Sequence, residues 1–330
     1  MRQLDKSKIH KILVISLSNI GDVVLTLPVV DILRRDFPKA RISIVIGPKA
    51  ESLLKGSLIF EHVFIYDKHQ TGFEKLEWIK KLRKERFDLA VDLRNSAIPF
   101  LIGAKNYTPL NLKKKELVHM KTKHLNRLRQ VHPFSEESAH RDALCALSLD
   151  QIIVEECLQK NIGQNAAYAV MVPGSADQAK RWSVKGFAQV ADFLHNEYHV
   201  STIFLGDQND IPVVDSVQKL MTTVPHNLCG QTNLIQTAEF IRNSKLVLAN
   251  DSAALHIASY LNRPVIALFG YTDPIKYGPW SQTSWYLKAS GNLPKDNTVE
   301  ERIKLIESIQ PEDVIRHIHM MMQENNEREK

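Results

Sequence analysis

The stretch Val247-Leu-Ala-Asn-Asp-Ser-Ala-Ala-Leu-His-Ile-Ala-Ser-Tyr-Leu-Asn-Arg-Pro-Val-Ile-Ala-Leu-Phe-Gly270 decides how this chain is read. Residues 246–249 are an apolar run of strand length, Asn250, Asp251 and Ser252 are helix-capping types, and Leu255, Ile257, Ala258 and Leu261 recur at helical spacing. A second apolar strand, 265–269, follows Pro264. Strand, cap, helix, strand is the unit of a parallel, doubly wound sheet, in which ligands sit at the carboxyl ends of strands. The helix start at Asp251 and Ser252 falls at that edge, where unpaired N–H groups and the helix dipole suit an anion such as a pyrophosphate. Taken alone, Asp251 is more often just a helix cap. Its company elsewhere in the chain decides.

The same grammar begins at the N-terminus. Residues 12–17 read as a buried strand, Ser18-Asn-Ile-Gly-Asp22 as a glycine loop, and 23–37 as a helix in which Pro28 marks a first turn or a kink. Asp22 therefore stands at a strand's carboxyl end, either as an N-cap or as a carboxylate aimed at a ligand. Strands at 41–46, 63–66 and 89–93 follow, with helices ending at Leu54 and spanning 75–86, and the last strand delivers Arg94, Asn95 and Ser96 to the same edge. Short helices are expected at 138–147 and 151–158, and the polar residues 159–167 read as a linker. A second α/β series then starts. Its strand 168–172 ends in Pro173-Gly-Ser175, Lys180-Arg-Trp182 precedes a helix at 184–197, and the strand 200–205 ends in Gly206, four residues before Asp210. Helices at 212–221 and 234–243 lead back to the opening stretch. This predicts an α/β chain of two Rossmann-like domains, 1–160 and 161–310, with a closing helix at 311–322.

Composition bounds the function. The chain has 330 residues, 44% of them hydrophobic and 24% charged, which is ordinary for a two-domain globular protein. No apolar run approaches the roughly 18 residues of a membrane span, and no signal-peptide pattern opens the chain, so a cytoplasmic location is expected. Cys145, Cys157 and Cys229 are too far apart for a metal motif or a disulfide framework. The net charge of +6 favours an anionic partner. Much of it lies in residues 105–129, where Lys105, Lys113, Lys114, Lys115, Lys121, Lys123, Arg127 and Arg129 face only Glu116. Such a run is a solvated face or a contact surface for an anionic acceptor at a membrane. With Tyr107 as its one aromatic, the stretch lacks a stacking platform, which argues against nucleic acid. His119, His124 and His132 have no metal-site spacing. Trp182 reads as packing rather than a sugar platform.

Three ordered motifs carry a resemblance: Ser18-Asn-Ile-Gly-Asp-Val-Val-Leu-Thr-Leu-Pro28, the segment from Pro173-Gly-Ser to Lys180-Arg-Trp182, and Asn250-Asp-Ser-Ala-Ala-Leu-His256 continuing through Pro264-Val-Ile-Ala-Leu-Phe-Gly-Tyr-Thr-Asp-Pro274. Together they make nearly the whole chain similar to glycosyltransferase family 9, the heptosyltransferases of lipopolysaccharide assembly, with the GT-B fold of two Rossmann-like domains facing across a cleft. The resemblance implies that Asp22 is the catalytic base, that Lys180 meets the donor's phosphates, and that Asp210 binds the nucleoside sugar. It implies a donor site of Gly174, Ser175, Lys180, Gly206, Asp210, Leu234, Asp251, Ser252, Ala253 and His256. Gly21, Arg94, Asn95 and Ser96 would serve the acceptor, and the closing helix 311–322 would pack back on the first domain.

The implied reaction is an inverting transfer of heptose from ADP-heptose to a lipopolysaccharide core acceptor, at the cytoplasmic face of the inner membrane, through contact by residues 105–129. Another nucleotide sugar, or a non-catalytic sugar-nucleotide or glycolipid binder, remains an alternative. No Asp-x-Asp motif is present, so neither a divalent metal nor a cofactor is expected. Ala253 and Ala254 depart from the family's usual glycine and proline, and residues 280–297 lack the cysteines many members carry there.

Overall fold

The computed structural model describes residues 4–54, 56–111, 117–135, 147, 167–291 and 298–328. It divides into two compact units, Met1–Ser148 and Leu149–Lys330. The division falls at Ser148 rather than at residue 160, and all of the expected helix 138–147 but its last residue, the expected helix 151–158 and most of the linker lie outside the described residues.

The first unit holds the strands β1 (Lys11–Ile15), β2 (Arg41–Ile46), β3 (Phe60–Ile65), β4 (Leu89–Asp92) and β5 (Asn106–Tyr107). All pair in parallel, in the order β3-β2-β1-β4-β5. Ile12, Leu13, Val14 and Ile15 are fully buried. Helices cover both faces of such a sheet, so its inner strands are apolar throughout rather than alternating. The chain winds outward in one direction from β1 through β3, then returns to β1's other side as β4. That reversal is the sheet's switch point.

The expected helix over 23–37 is two helices, Ile20–Val24 and Leu27–Asp36. The break has a polar cause. Thr26 is buried, its Oγ1 lies 2.7 Å from Ser16 Oγ and donates to the Val23 carbonyl at 2.6 Å, so it turns inward instead of continuing the helix. Pro28 then sits in the first turn of the second helix, where its missing N–H costs nothing. The third helix starts earlier than expected, as Gly72–Lys84, because Thr71 and Glu74 form a capping box.

The second unit holds β6 (Tyr168–Val172), β7 (Ser201–Phe204), β8 (His226–Asn227), β9 (Leu246–Asn250), β10 (Val265–Phe269) and β11 (Ser284–Lys288). They are parallel, in the order β11-β10-β9-β6-β7-β8. This repeats the first sheet's winding with one strand added. The switch point here lies between β6 and β9.

Around this sheet run the helices Val184–Tyr198, Ile211–Gln218, Leu234–Asn243, Ala253–Tyr260 and Val299–Glu307. The closing helix, Pro311–Arg328, corrects the sequence reading, which sent it to the first domain. Its Val314, Ile318 and Met321 belong to the core of the second unit, with Phe187, Leu194 and Trp182. His319 is tied to Tyr198 by a 2.6 Å hydrogen bond. Trp182 is core packing, with its indole N–H donating to the Ile309 carbonyl at 2.9 Å.

Candidate active site

Adjacent strands whose connections leave in opposite directions open a crevice at their carboxyl ends. In the second unit those strands are β6 and β9, and Asn250 ends β9 fully buried. Its amide takes a hydrogen bond from the Trp182 backbone N–H at 3.0 Å and donates to the Pro173 carbonyl at 2.8 Å. One side chain thus fastens both turns that follow β6 to the end of β9. The next residue, Asp251, is 6% exposed and pairs with Lys180 Nζ at 2.8 Å. Lys180 closes a short 3-10 turn, Gln178–Lys180, which Asp177 caps.

The helix start differs by a residue from the sequence reading. Ser252 is the N-cap of Ala253–Tyr260, in extended conformation, and Asp251 lies before it with its carboxylate given to Lys180. Ser252 Oγ is buried and has no hydrogen-bond partner among the described residues. Ala253 is not among the residues with positive φ, so the backbone there does not call for glycine. His256 is buried one turn on and stacks on Trp280, with ring centroids 5.8 Å apart.

Beside this ion pair stands a second carboxylate. Asp210 accepts from the Asp207 N–H at 3.1 Å and lies 3.5 Å from the Arg181 guanidinium, whose Nε donates to the Ser175 carbonyl at 2.9 Å. A methyl group on Gly174 would fall 2.0 Å from Asp210 Cγ, and one on Gly206 would fall 2.9 Å from both Asp210 Cβ and Cys229 Sγ. Both glycines are therefore required by the room Asp210 takes. Burial pushes the Asp210 carboxyl above its usual range, and the charge of Asp207 adds to this, while the Asp207 N–H and Arg181 oppose it. Burial also pushes the Cys229 thiol up to about 12, which leaves it inert. Leu234 opens the helix Leu234–Asn243, half-buried behind its Asn233 cap.

The first unit's edge is built differently. Asp22 lies with Gly21 in the first turn of Ile20–Val24, partly exposed, and accepts from Asn19 Nδ2 at 3.0 Å. At the end of β4, the buried Asp92 organises the turn by accepting from the backbone N–H groups of Arg94 and Ser96. Burial pushes its carboxyl up, against those hydrogen bonds. Of the expected acceptor residues, Arg94 lies over the Tyr66 ring at 4.6 Å. Asn95 has φ 61° and exchanges hydrogen bonds with the Asn111 backbone at 3.0 and 2.7 Å. Ser96 Oγ meets the Ile98 N–H at 3.4 Å.

Part of the basic stretch turns inward, contrary to a wholly solvated face. Arg127 is buried, and donates to the Asp92 carbonyl at 3.1 Å and the Pro109 carbonyl at 2.6 Å. His124 is buried, and His132 is buried against Asp36 at 2.6 Å. Lys113, Lys114 and Lys115 lie outside the described residues. Among the described residues no cluster of His, Cys, Asp or Glu is arranged to hold a metal, and no helix is long and apolar enough to cross a membrane.

Residues 76–304 match the family model described as Glycosyltransferase family 9 (heptosyltransferase). The chain belongs to this family. It is 26% identical to the lipopolysaccharide core heptosyltransferase OpsX of Haemophilus influenzae, over 81% of each chain. It is 24% identical to lipopolysaccharide heptosyltransferase 3 of Escherichia coli K12, over 92% of this chain and 96% of that one. Among solved structures it resembles the E. coli ADP-heptose LPS heptosyltransferase II, with a TM-score of 0.76, 21% identity and coverage of 96% of this chain and 99% of the other. The fold is accordingly GT-B, and the chain is a family 9 glycosyltransferase.

Several residues of the family 9 edge escaped the sequence reading. Asn250 looked like a cap and is a staple. Arg181 stood inside the Lys-Arg-Trp motif without a role. Lys288, at the end of β11, had no signal at all: its Nζ donates to the carbonyls of Gly270 and Thr272, the latter at 2.9 Å.

Proposed function

We propose that this glycosyltransferase moves heptose from ADP-heptose to a lipopolysaccharide core acceptor, inverting the anomeric carbon and using no divalent metal. The observation that carries the reading is the second unit's edge. There a lysine–aspartate pair, an unpartnered buried serine hydroxyl at a helix start and a desolvated carboxylate above two glycines stand on one stapled framework. Lys180 and the N–H groups at the start of Ala253–Tyr260 suit the diphosphate, and Asp210 suits the ribose hydroxyls. Asp251 would release Lys180 to the phosphates and turn to the sugar. Asp22 would take the proton from the acceptor hydroxyl as its oxygen forms the new bond to the anomeric carbon, and ADP would leave with the electrons of the broken C–O bond. Charge then grows on the departing diphosphate, where Lys180 stabilises it.

The acceptor is a glycolipid, and we propose that the first unit meets it at the cytoplasmic face of the inner membrane. Lys123 is exposed, as is Lys105, which pairs with Asp88 at 2.7 Å, and so are Phe100, Leu101, Leu110 and Leu117. Each lysine near an acidic leaflet is worth about 1 kcal/mol. Arg127 contributes structure to this region rather than surface charge.

Calorimetric titration with ADP, ADP-heptose, UDP-glucose and GDP-mannose, in EDTA, tests the reading. Selective binding of ADP and ADP-heptose is expected, weakened about 10- to 100-fold in Lys180→Ala, the scale of a charged hydrogen bond. A preference for another nucleotide would move the donor, and binding of none would overturn the donor site.

A further inference from the structure

Lys180 stands at the end of a turn only three residues long, and that turn is tied to a loop from a different strand. Asp177 holds the turn from inside: its Oδ1 accepts from the Ala179 N–H at 3.0 Å, and its carbonyl accepts from the Lys180 N–H at 3.0 Å. Its other carboxylate oxygen, Oδ2, accepts a short hydrogen bond from the Tyr271 hydroxyl. Tyr271 belongs to the loop after β10, and both flanking carbonyls, of Gly270 and Thr272, are gripped by Lys288 Nζ. Its ring lies under the Arg302 guanidinium at 4.8 Å, on the helix Val299–Glu307. The phenol is thus held from the backbone on both sides and from one face.

From this geometry we infer that Tyr271 is a positioning residue for Lys180, acting through Asp177 to fix where the ammonium stands at the carboxyl edge of the sheet. The inference rests on reading Lys180 as the ligand of the donor's phosphates. The charge states favour the link. Burial, with the hydrogen bond to Asp177, pushes the Tyr271 hydroxyl up to about 12, so it remains a donor at neutral pH. The Tyr271 bond in turn holds the Asp177 carboxyl below its usual range, so it remains an acceptor.

A lysine side chain has four rotatable bonds, and holding its backbone reduces what is lost when it meets phosphate. Removing the Tyr271 hydroxyl leaves the cap on Ala179 but frees the turn from the loop after β10. The ring stays for Arg302, and the fold stays with it.

A double-mutant cycle decides the matter, read by fluorescence titration with a labelled ADP that follows binding into the millimolar range. Tyr271→Phe is expected to weaken ADP binding about 5- to 10-fold in the natural chain but less than about 2-fold in Lys180→Ala, since the hydroxyl then has no lysine to place. Asp177→Asn, which keeps the cap but weakens the acceptor, should show the same dependence on Lys180 and stands in if Tyr271→Phe melts at a lower temperature. Equal weakening in both backgrounds, or none in the natural chain, overturns the inference while leaving Lys180 as a phosphate ligand. Unchanged ADP binding in Lys180→Ala overturns the donor reading and this inference together.

Discussion

Each sheet reverses its winding between its unit's first and fourth strands, β1 and β4 in one and β6 and β9 in the other, yet the two edges are held by different interactions. In the second unit, side chains tie loop to loop: Asn250 joins the turns after β6 and β9, Arg181 joins Ser175 to Asp210, and Tyr271 joins the loop after β10 to the turn of Lys180. The first unit's edge has ties of its own, Asn95 to the Asn111 backbone and Arg127 to the carbonyls of Asp92 and Pro109, but Asp22 stands apart from them, partly exposed and hydrogen-bonded to the neighbouring Asn19. Topology sets where each site lies. Chemistry sets how firmly it must be built. A diphosphate brings fixed charge, and preset partners lower the reorganisation its transition state requires. In the proposed reaction Asp22, as general base, would have to reach the proton it removes, and an open carboxylate suits that role.

The largest effect should come from breaking the open edge without touching the stapled one. Asp22→Asn keeps the shape and the contact to Asn19 but removes the basic oxygen. Turnover with ADP-heptose and a core acceptor should fall by about 10²- to 10⁴-fold, the usual worth of a placed base. Calorimetric ADP affinity should stay within about 2-fold, because the site it reads is on the other unit. Undiminished turnover would remove Asp22 as the base, and a parallel loss of ADP affinity would mean that the edges are not separable in this way.

Next comes the staple. Asn250→Ala leaves the Trp182 N–H and the Pro173 carbonyl buried without their partner. Each such group costs about 1–3 kcal/mol, so the second unit should lose about 2–6 kcal/mol of stability. Its thermal transition, read by calorimetry, should fall by about 5–20 °C for a unit of this size. An unchanged transition would show that water replaces the amide, and that the edge is less preorganised than its contacts say.

Much of this was legible in the residues. Inner strands such as Ile12 to Ile15 are buried on both faces and read as apolar runs, so the alternating α/β order followed directly. Of the edge strands, β3 showed, as the run at 63–66, but β5, β8 and β11 did not. β5 and β8 are two residues long, and in β11 only Leu287 is buried. The closing helix shows an apolar face in sequence, but that pattern says only that it packs, and its partner is set by where the chain arrives. Asn250 illustrates a different limit. A strand-end asparagine before Asp-Ser fits a cap as well as a staple, and only the positions of Trp182 and Pro173 distinguish the two. Arg127 and His124 were hidden for a similar reason, since the carbonyls that hold Arg127 come from Asp92 and Pro109. No local pattern announces them.

His124 supplies the smallest of these effects and separates the units by acid. Both ring nitrogens are buried without a hydrogen-bond partner among the described residues. Burial, with the charges of Lys123, His119 and Arg127, pushes its pKa down to about 3. Above the ordinary histidine range neither the folded nor the unfolded chain carries the proton, and nothing is lost. As pH falls through that range only the unfolded chain binds it, so stability declines by about 1.4 kcal/mol per pH unit until the folded value is reached. By pH 5 the first unit should have lost about 2 kcal/mol. In the second unit burial pushes His226 down as well, but it is half-buried and the loss there should be smaller. Amide exchange, corrected for its intrinsic pH dependence, should therefore quicken at pH 5 in the helix Met120–Arg129 before it does in Ala253–Tyr260. His124→Leu has no proton to take and should flatten that response. If the substituted chain loosened in acid as steeply as the natural one, the acid sensitivity would belong to other groups, and the contrast between the units would rest on their switch points alone.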